Sequence, residues 1–437
     1  MKSLIKKIKQ TTGGDFFKNV LVSLTGSGLA QLITLLALPI LTRIFTPAEF
    51  GLFAIYLSIA NIVGNVAGGR MDSAIMIPKE DKEAFNILAL AIVLISITSL
   101  AAFLLVVILK SKITSLLSFS PHEWTFYFLP VSIFLISVNR TLTVWVNRFK
   151  SFKISSTGRV LQTGSTSGAN ITLGSFTQLG MPGLFTGHLT GLSISSLFLL
   201  NKSKKLWHQH PLPLKSDLKR TLLSNKNFII FAVPFGLLSI FSAEFLIYYL
   251  SIFFSASLVG LYSNGNRIIN YPLSLITVAF SSVFYQRISA GNNALKVFRL
   301  SWLLNFLLAF FMLIPVVLWG EAIFAFVLGD EWRMSGKFAS ILVPLAVSSF
   351  AARSVASVFS LLRKNEILLT WQIIYMMVIL GVIYFFKDTD IQAILLYYSL
   401  AGAFLYLCQS FWAYQLMKRN KPNDRNRIKK NIVIRKE

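Results

Sequence analysis

FNILALAIVLISITSLAAFLLVVIL, residues 85–109, contains no charged side chain. A helix rises about 1.5 Å per residue, so roughly 20 apolar residues cross the ~30 Å hydrocarbon core of a bilayer. This run is long enough to cross and too apolar to face water along its length. Outward from it in both directions, runs of similar length recur near 20–42, 51–69, 125–145, 160–178, 182–200, 228–252, 259–283, 299–319, 338–361, 367–386 and 393–416. The pattern predicts an all-α polytopic membrane protein with about 12 transmembrane helices.

Composition agrees: 54% of residues are apolar and 14% charged, against about a quarter charged in soluble domains. A net charge of +25 would suggest nucleic acid in a soluble chain, but its placement removes that reading. Of 42 Lys and Arg, six (Arg43, Lys110, Lys112, Arg333, Lys337, Lys387) fall on one side of the spans and three within them. All the others share the side of the N-terminal tail. The positive-inside rule puts both termini in the cytoplasm. The run Val20–Leu41 after Lys2, Lys6, Lys7 and Lys9 is too long for a signal peptide and reads as an uncleaved first span. The basic tail 417–437 reads as a topology anchor near anionic lipid.

The chain repeats itself. Phe45-Thr46 followed by Gly51-Leu52-Phe53 returns, 209 residues later, as Phe254-Ser255 followed by Gly260-Leu261-Tyr262. Each copy follows the first span of a six-span half, and six spans per half make the halves parallel repeats, which place a substrate site between them. The expected organisation is an N-terminal lobe 1–201, a polar cytoplasmic linker 202–226, a C-terminal lobe 227–416 and the tail 417–437.

Catalytic signatures are missing. There is no Gly-rich phosphate loop, zincin motif or nucleophile elbow, and the acids outside the spans are scattered over separate hairpins. Cys408 is the only cysteine, which rules out an intrachain disulfide. His208 and His210 in the linker have no carboxylate or cysteine beside them, so neither a metal site nor a cofactor is expected. Transport without nucleotide hydrolysis is the expected class, and no enzymatic activity.

Ionisable groups inside spans are costly and mark function by default. Arg140, Glu244, Arg267 and Arg353 stand out. Three arginines against one acid favour an anionic substrate, so Arg267, Arg353 and Arg140 are candidate phosphate ligands, with Arg70 and Asp72 read as a helix-end anchor. Glu244 and Arg267 are nearly equidistant from Ala256, each about 17 Å along its helix from the turn. They form either a permanent salt bridge or one that opens when a phosphate takes the arginine. The fifth and sixth spans are polar and rich in glycine, with Gln162, Asn170 and His188 among their side chains. Such residues either let helices pack closely or line a hydrated wall that contacts sugars. Prolines 39, 130, 234, 272, 315 and 344 within spans soften helices.

Several landmarks carry a family resemblance: Leu41 to Gly51 (LTRIFTPAEFG), Asp72 to Lys79 (DSAIMIPK), Val259 to Tyr262, Pro272 to Ser274, Val283 to Arg287, and Phe326 to Trp332 (FVLGDEW). In this order they resemble the polysaccharide or O-antigen flippases, within the superfamily that also contains the multidrug and toxin extruders. The resemblance implies two six-helix lobes forming a V around a central cationic cavity in the bacterial cytoplasmic (inner) membrane. It implies as substrate an undecaprenyl-pyrophosphate-linked oligosaccharide, carried from the cytoplasmic to the outer leaflet for O-antigen, lipopolysaccharide or other surface polysaccharide biosynthesis. Membrane lipid, a glycan polymerase and other assembly proteins would be its partners. Two alternatives stay open: cation-coupled export of a small soluble substrate, which would favour net acid in the cavity, and a membrane glycan polymerase or ligase. The topology is testable: cysteines at Ser115 and Asp388 should react with an impermeant thiol reagent added outside intact cells, and one at Ser203 should not. Labelling at 203 would invert the orientation.

Overall fold

The computed structural model describes residues 14–116, 123–177, 180–207, 211–289, 294–362 and 364–419. The linker histidines 208 and 210 and the tail beyond Arg419 lie outside them. The long helices are α1 (Gly14–Ile44), α2 (Pro47–Val66), α4 (Asp81–Leu116), α5 (Leu129–Arg148), α6 (Phe152–Thr177), α7 (Met181–Trp207), α9 (Val233–Phe253), α10 (Ala256–Ser289), α11 (Ala294–Leu328), α12 (Arg333–Val355), α14 (Asn365–Phe386) and α15 (Ile391–Arg419). Three short ones lie between them: α3 (Met71–Ala74), α8 (Lys215–Ser224) and α13 (Ser357–Leu361). Every expected span coincides with helix, and among the described residues 10 helices are long and apolar enough to cross a membrane. The protein is all-α and multi-pass. The other two expected spans, in α6 and α10, are also helical. The linker segment contributes α8.

The described residues fall into two compact units. The first comprises those within Met1–Gly265 and Ala322–Ser335, the second those within Asn266–Glu321 and Gly336–Glu437.

In the first unit, the two copies of the repeat begin helices by the same chemistry. Thr46 caps α2, its hydroxyl accepting from the Glu49 amide at 3.4 Å while the Glu49 carboxylate accepts from the Thr46 amide at 2.8 Å. Pro47 at the first helical position costs no hydrogen bond. Ser255, the counterpart of Thr46, accepts from the Leu258 amide at 3.4 Å and starts α10. The copies then cross each other reciprocally. A Cβ on Gly51 would overlap the Ala256 carbonyl oxygen, and a Cβ on Gly260 would overlap that of Pro47. Each glycine thus sits on the carbonyl four residues ahead of the other, as segments related by a local two-fold axis do. Trp332, fully buried, closes the same end: its ring lies edge-on to Phe50 (centroids 5.2 Å apart), and Nε1 donates to the Thr42 carbonyl at 3.0 Å. That carbonyl belongs to the last turn of α1, where helical partners run out.

The rest of the first unit is held by small residues and hydroxyls. α6 packs along α7 and α1, α5 packs on α7, α2 and α4, and α9 packs on α2. Gly26 of α1 lies over Ser156, Gly187 over Asn170, and Gly191 over Thr166 and the Gln162 carbonyl, so short polar side chains of one helix fit directly against the bare backbone of the next. Asn139 donates to Ser195 at 2.8 Å and Ser195 to the Gly158 carbonyl at 2.9 Å, linking α5, α7 and α6.

In the second unit, Gly320 and Gly336 approach each other reciprocally between α11 and α12. Phe284, Phe298, Val355, Phe359 and Met417 form its core. α11 kinks at Trp319 (φ −131°), four residues beyond Pro315. α10 and α12 contain Pro272 and Pro344.

Ser203 is fully buried, so a cysteine there would be shielded from either side. The inside probe belongs at the exposed Lys215, in a Cys408→Ser background because Cys408 is itself exposed.

The glycine crossing makes a prediction. Gly51→Ala or Gly260→Ala should destabilise the protein by about 1–3 kcal/mol, as overpacking does. Gly164→Ala and Gly168→Ala, where an added Cβ meets nothing within 4 Å, should be neutral or slightly stabilising, since alanine is the better helix former. Thermal unfolding in detergent compares them. Equal midpoints for all four would show that the crossing does not constrain the fold.

Candidate functional site

α2 ends in two successive left-handed residues, Gly69 (φ 61°) and Arg70 (φ 58°). The first is permitted by glycine. The second costs a non-glycine residue about 1–2 kcal/mol and turns the chain into α3, which carries Asp72. Arg70 donates to the Asn65 side chain through Nη1 at 2.6 Å, and its Cδ and Nε lie against Gly236 of α9.

Asp72 is only 7% exposed and accepts from Arg140 Nε at 2.8 Å. α5 therefore reaches the 72–79 segment twice. Two helical turns beyond Arg140, Arg148 donates to the Ile75 carbonyl at 2.9 Å and the Pro78 carbonyl at 2.9 Å, and pairs with Asp81 at 2.9 Å. Residues eight apart share a helix face, so α5 presents both guanidiniums to one loop.

The result is two guanidiniums around one buried carboxylate, a local excess of one positive charge. Burial lowers the pKa of Arg70, the nearby Arg140 lowers it further, and Asp72 opposes the shift. An arginine stays protonated under such pressure, so a cation held there gains by meeting an anion.

The expected site residues fall in different places. Arg140 pairs with Asp72, so Arg140 is not the surplus cation that a count of interior charges suggests; Arg70, read from sequence as a helix-end anchor, carries the excess. Asn170 is buried between α6 and α7, facing the Gly183 and Leu184 carbonyls, to which its amide nitrogen donates at 3.3 and 3.1 Å once the amide is turned end for end. Gln162 is half-buried on α6, and His188 of α7 lies edge-on to Phe53 with centroids 6.0 Å apart. Glu244 is half-buried on α9 in the first unit. Arg267 and Arg353 belong to the second unit. Arg267 lies over the Tyr271 ring at 5.7 Å. Arg353, exposed at the end of α12, lies 5.7 Å over the Tyr406 ring and donates to its hydroxyl at 3.3 Å. Tyr406 packs in turn against Trp371 and Tyr375.

Sequence reasoning missed Arg159, whose Nη1 donates to Ser27 of α1 at 2.8 Å. It lies one residue outside the run read as the fifth span. On α6, Gly164 and Gly168 front open space, and Thr157, Thr172 and Ser175 are exposed. This helix therefore packs on one side and offers small and hydroxyl groups on another.

The sequence matches the family described as polysaccharide biosynthesis protein over residues 40–337. No curated protein sequence matches it. Among solved structures, the chain is similar to the lipid II flippase MurJ in an inward closed conformation (TM-score 0.67, 14% identity, 91% of this chain and 86% of that one). It is also similar to an inward-facing multidrug resistance MATE family transporter of the MOP superfamily (0.66, 16%, 91% and 96%). A third is a MOP superfamily transporter from Pyrococcus furiosus (0.60, 15%, 92% and 95%), whose structure is described as showing a binding pocket of reverse polarity. The fold is that of MOP superfamily transporters.

The Asp72–Arg140 pair makes a prediction. Asp72→Ala leaves a partly buried arginine without its carboxylate and should cost on the order of 1–3 kcal/mol, below a fully buried pair because the Arg140 side chain is 31% exposed. Asp72→Asn with Arg140→Gln should recover most of the loss. Unfolding midpoints of the single and double variants in detergent measure it, and strict additivity would mean that the two side chains are not coupled.

Proposed function

Because the chain belongs to the polysaccharide biosynthesis protein family, we propose that it is a flippase carrying an undecaprenyl-pyrophosphate-linked oligosaccharide from the cytoplasmic to the outer leaflet of the bacterial inner membrane, with both termini cytoplasmic. The observation that carries this reading is the surplus cation in the first unit: Asp72 is paired with Arg140, while Arg70, bonded to Asn65, lies near enough to feel the charges of both. Moving the head group alone through hydrocarbon would strip its charges and hydroxyls of water at large cost. Protein cations and hydroxyls replace that water.

In this mechanism the guanidinium of Arg70 takes a phosphate oxygen pair, for which its planar fork is suited, and Asp72 holds Arg140 beside it. The open face of α6 offers hydroxyls to sugars, with Gln162 and His188 as further contacts; Asn170 acts from behind by holding α6 to α7. In the second unit Arg267 and Arg353 are proposed phosphate ligands, each held by a tyrosine ring. The polyprenyl tail stays in lipid throughout. Glu244 is the proposed point of cation coupling. No catalytic residue is assigned, and a glycan polymerase acts downstream. Export of soluble cations would favour net acid at the site, whereas Asp72 is paired with Arg140 and Arg70 leaves the local balance positive.

Purified protein in vesicles containing a lipid-linked oligosaccharide should raise the share of glycan reached by an impermeant lectin. Arg70→Ala and Arg267→Ala should each cut that rate at least tenfold, as expected for a charge-assisted hydrogen bond worth about 1.5–3 kcal/mol. No gain over protein-free vesicles would sink the flippase reading. Full rates in both variants would leave it standing and remove these arginines from it.

A further inference from the structure

We infer that α8 and the residues flanking it form a docking surface for anionic phospholipid headgroups. This goes beyond the glycan reading and does not depend on it.

One face of α8 is occupied. Leu218 and Leu222 pack onto the cluster of Phe85, Leu88 and Trp145, which belongs to the first turns of α4 and the end of α5. α8 therefore packs against the first turns of α4, where the charged residues 81–83 give way to the apolar run of a spanning helix.

The opposite face has no protein partner among the described residues and an unusual composition. Arg220 is exposed there and Lys219 at its flank, with Lys226 just beyond the helix; Lys215, also exposed, precedes Leu218 by one turn at the edge of the packed face. Leu212 and Leu214 just before the helix and Leu223 near its end are 85%, 70% and 59% exposed. The one acid between residues 211 and 227 is Asp217. It is half-buried and held at the start of the helix, its carboxylate accepting from the Leu214 amide at 3.0 Å, and one acid leaves the four cations of this segment in excess.

Water suits neither half of this surface, since the cations repel one another and the leucines are unburied. The headgroup layer suits both: ammonium and guanidinium groups meet phosphates, and leucine side chains reach the acyl boundary. The bilayer that α4 crosses supplies such a layer at the level of α8, with no second protein to recruit.

The test uses the full chain carrying Cys408→Ser and Leu223→Cys, labelled with a polarity-sensitive dye and placed in vesicles. In vesicles containing phosphatidylglycerol the emission should shift to the blue relative to phosphatidylcholine alone. The shift should vanish near 1 M salt, where the screening length is about 3 Å. The fourfold variant Lys215→Gln, Lys219→Gln, Arg220→Gln, Lys226→Gln should lose the shift while keeping its unfolding midpoint; if it does not fold, the salt titration decides alone. Equal emission in the two lipids, or a shift indifferent to salt, would overturn the proposal. A shift reproduced in phosphatidylcholine by inorganic phosphate would assign a small-anion site instead, and one produced only by polyglutamate would assign an acidic protein partner.

Discussion

The first unit turns on the place where two helix starts cross with nothing between them but hydrogen. Gly51 and Gly260 each occupy the space over a carbonyl of the other segment, and that approach is available only without a Cβ. Three landmark segments far apart in sequence come together there: the end of α1 with its Thr42 carbonyl, the two capped starts at Thr46 and Ser255, and the loop that delivers Trp332. The indole satisfies an orphaned helix-end carbonyl and buries a large ring in one move. Residues that read in sequence as family landmarks are thus joints, and their chemistry is that of close packing and capping.

At the segment after α2 the controlling term is electrostatic. A buried carboxylate is tolerated when a cation meets it and its remaining lone pairs are satisfied, and α5 supplies that cation from 68 residues away. Arg148 then pins the backbone that follows. The left-handed turn at Gly69 and Arg70 aims the one guanidinium that the carboxylate does not neutralise. Strain, pairing and surplus charge are parts of a single local arrangement, which is why a ligand anion would find its cation already oriented.

α6 reconciles two readings that composition leaves in competition. Its glycines and hydroxyls on the sides toward α1 and α7 are used for packing: Ser156 under Gly26, Asn170 under Gly187, Thr166 under Gly191. Its Gly164 and Gly168 front open space. A polar helix can be a packing element and an exposed wall at once, because a helix has several faces and a list of residues has none.

Hydrophobic run length determined the number and nature of the long helices, since a bilayer demands about 20 apolar residues of any span. The repeat was legible because both copies keep the residues that caps and close crossings require. What sequence could not show was pairing. Charge counting marked Arg140 as surplus, but Asp72 meets it through a turn whose φ values no periodicity reveals. Asn170 looked like a cavity residue until the α6–α7 contact enclosed it, and Arg159 lay just beyond a span boundary. Composition and spacing act along the chain and leave their record there; which cation meets which acid is decided by distances of a few ångströms between helices, and only the tertiary structure sets those.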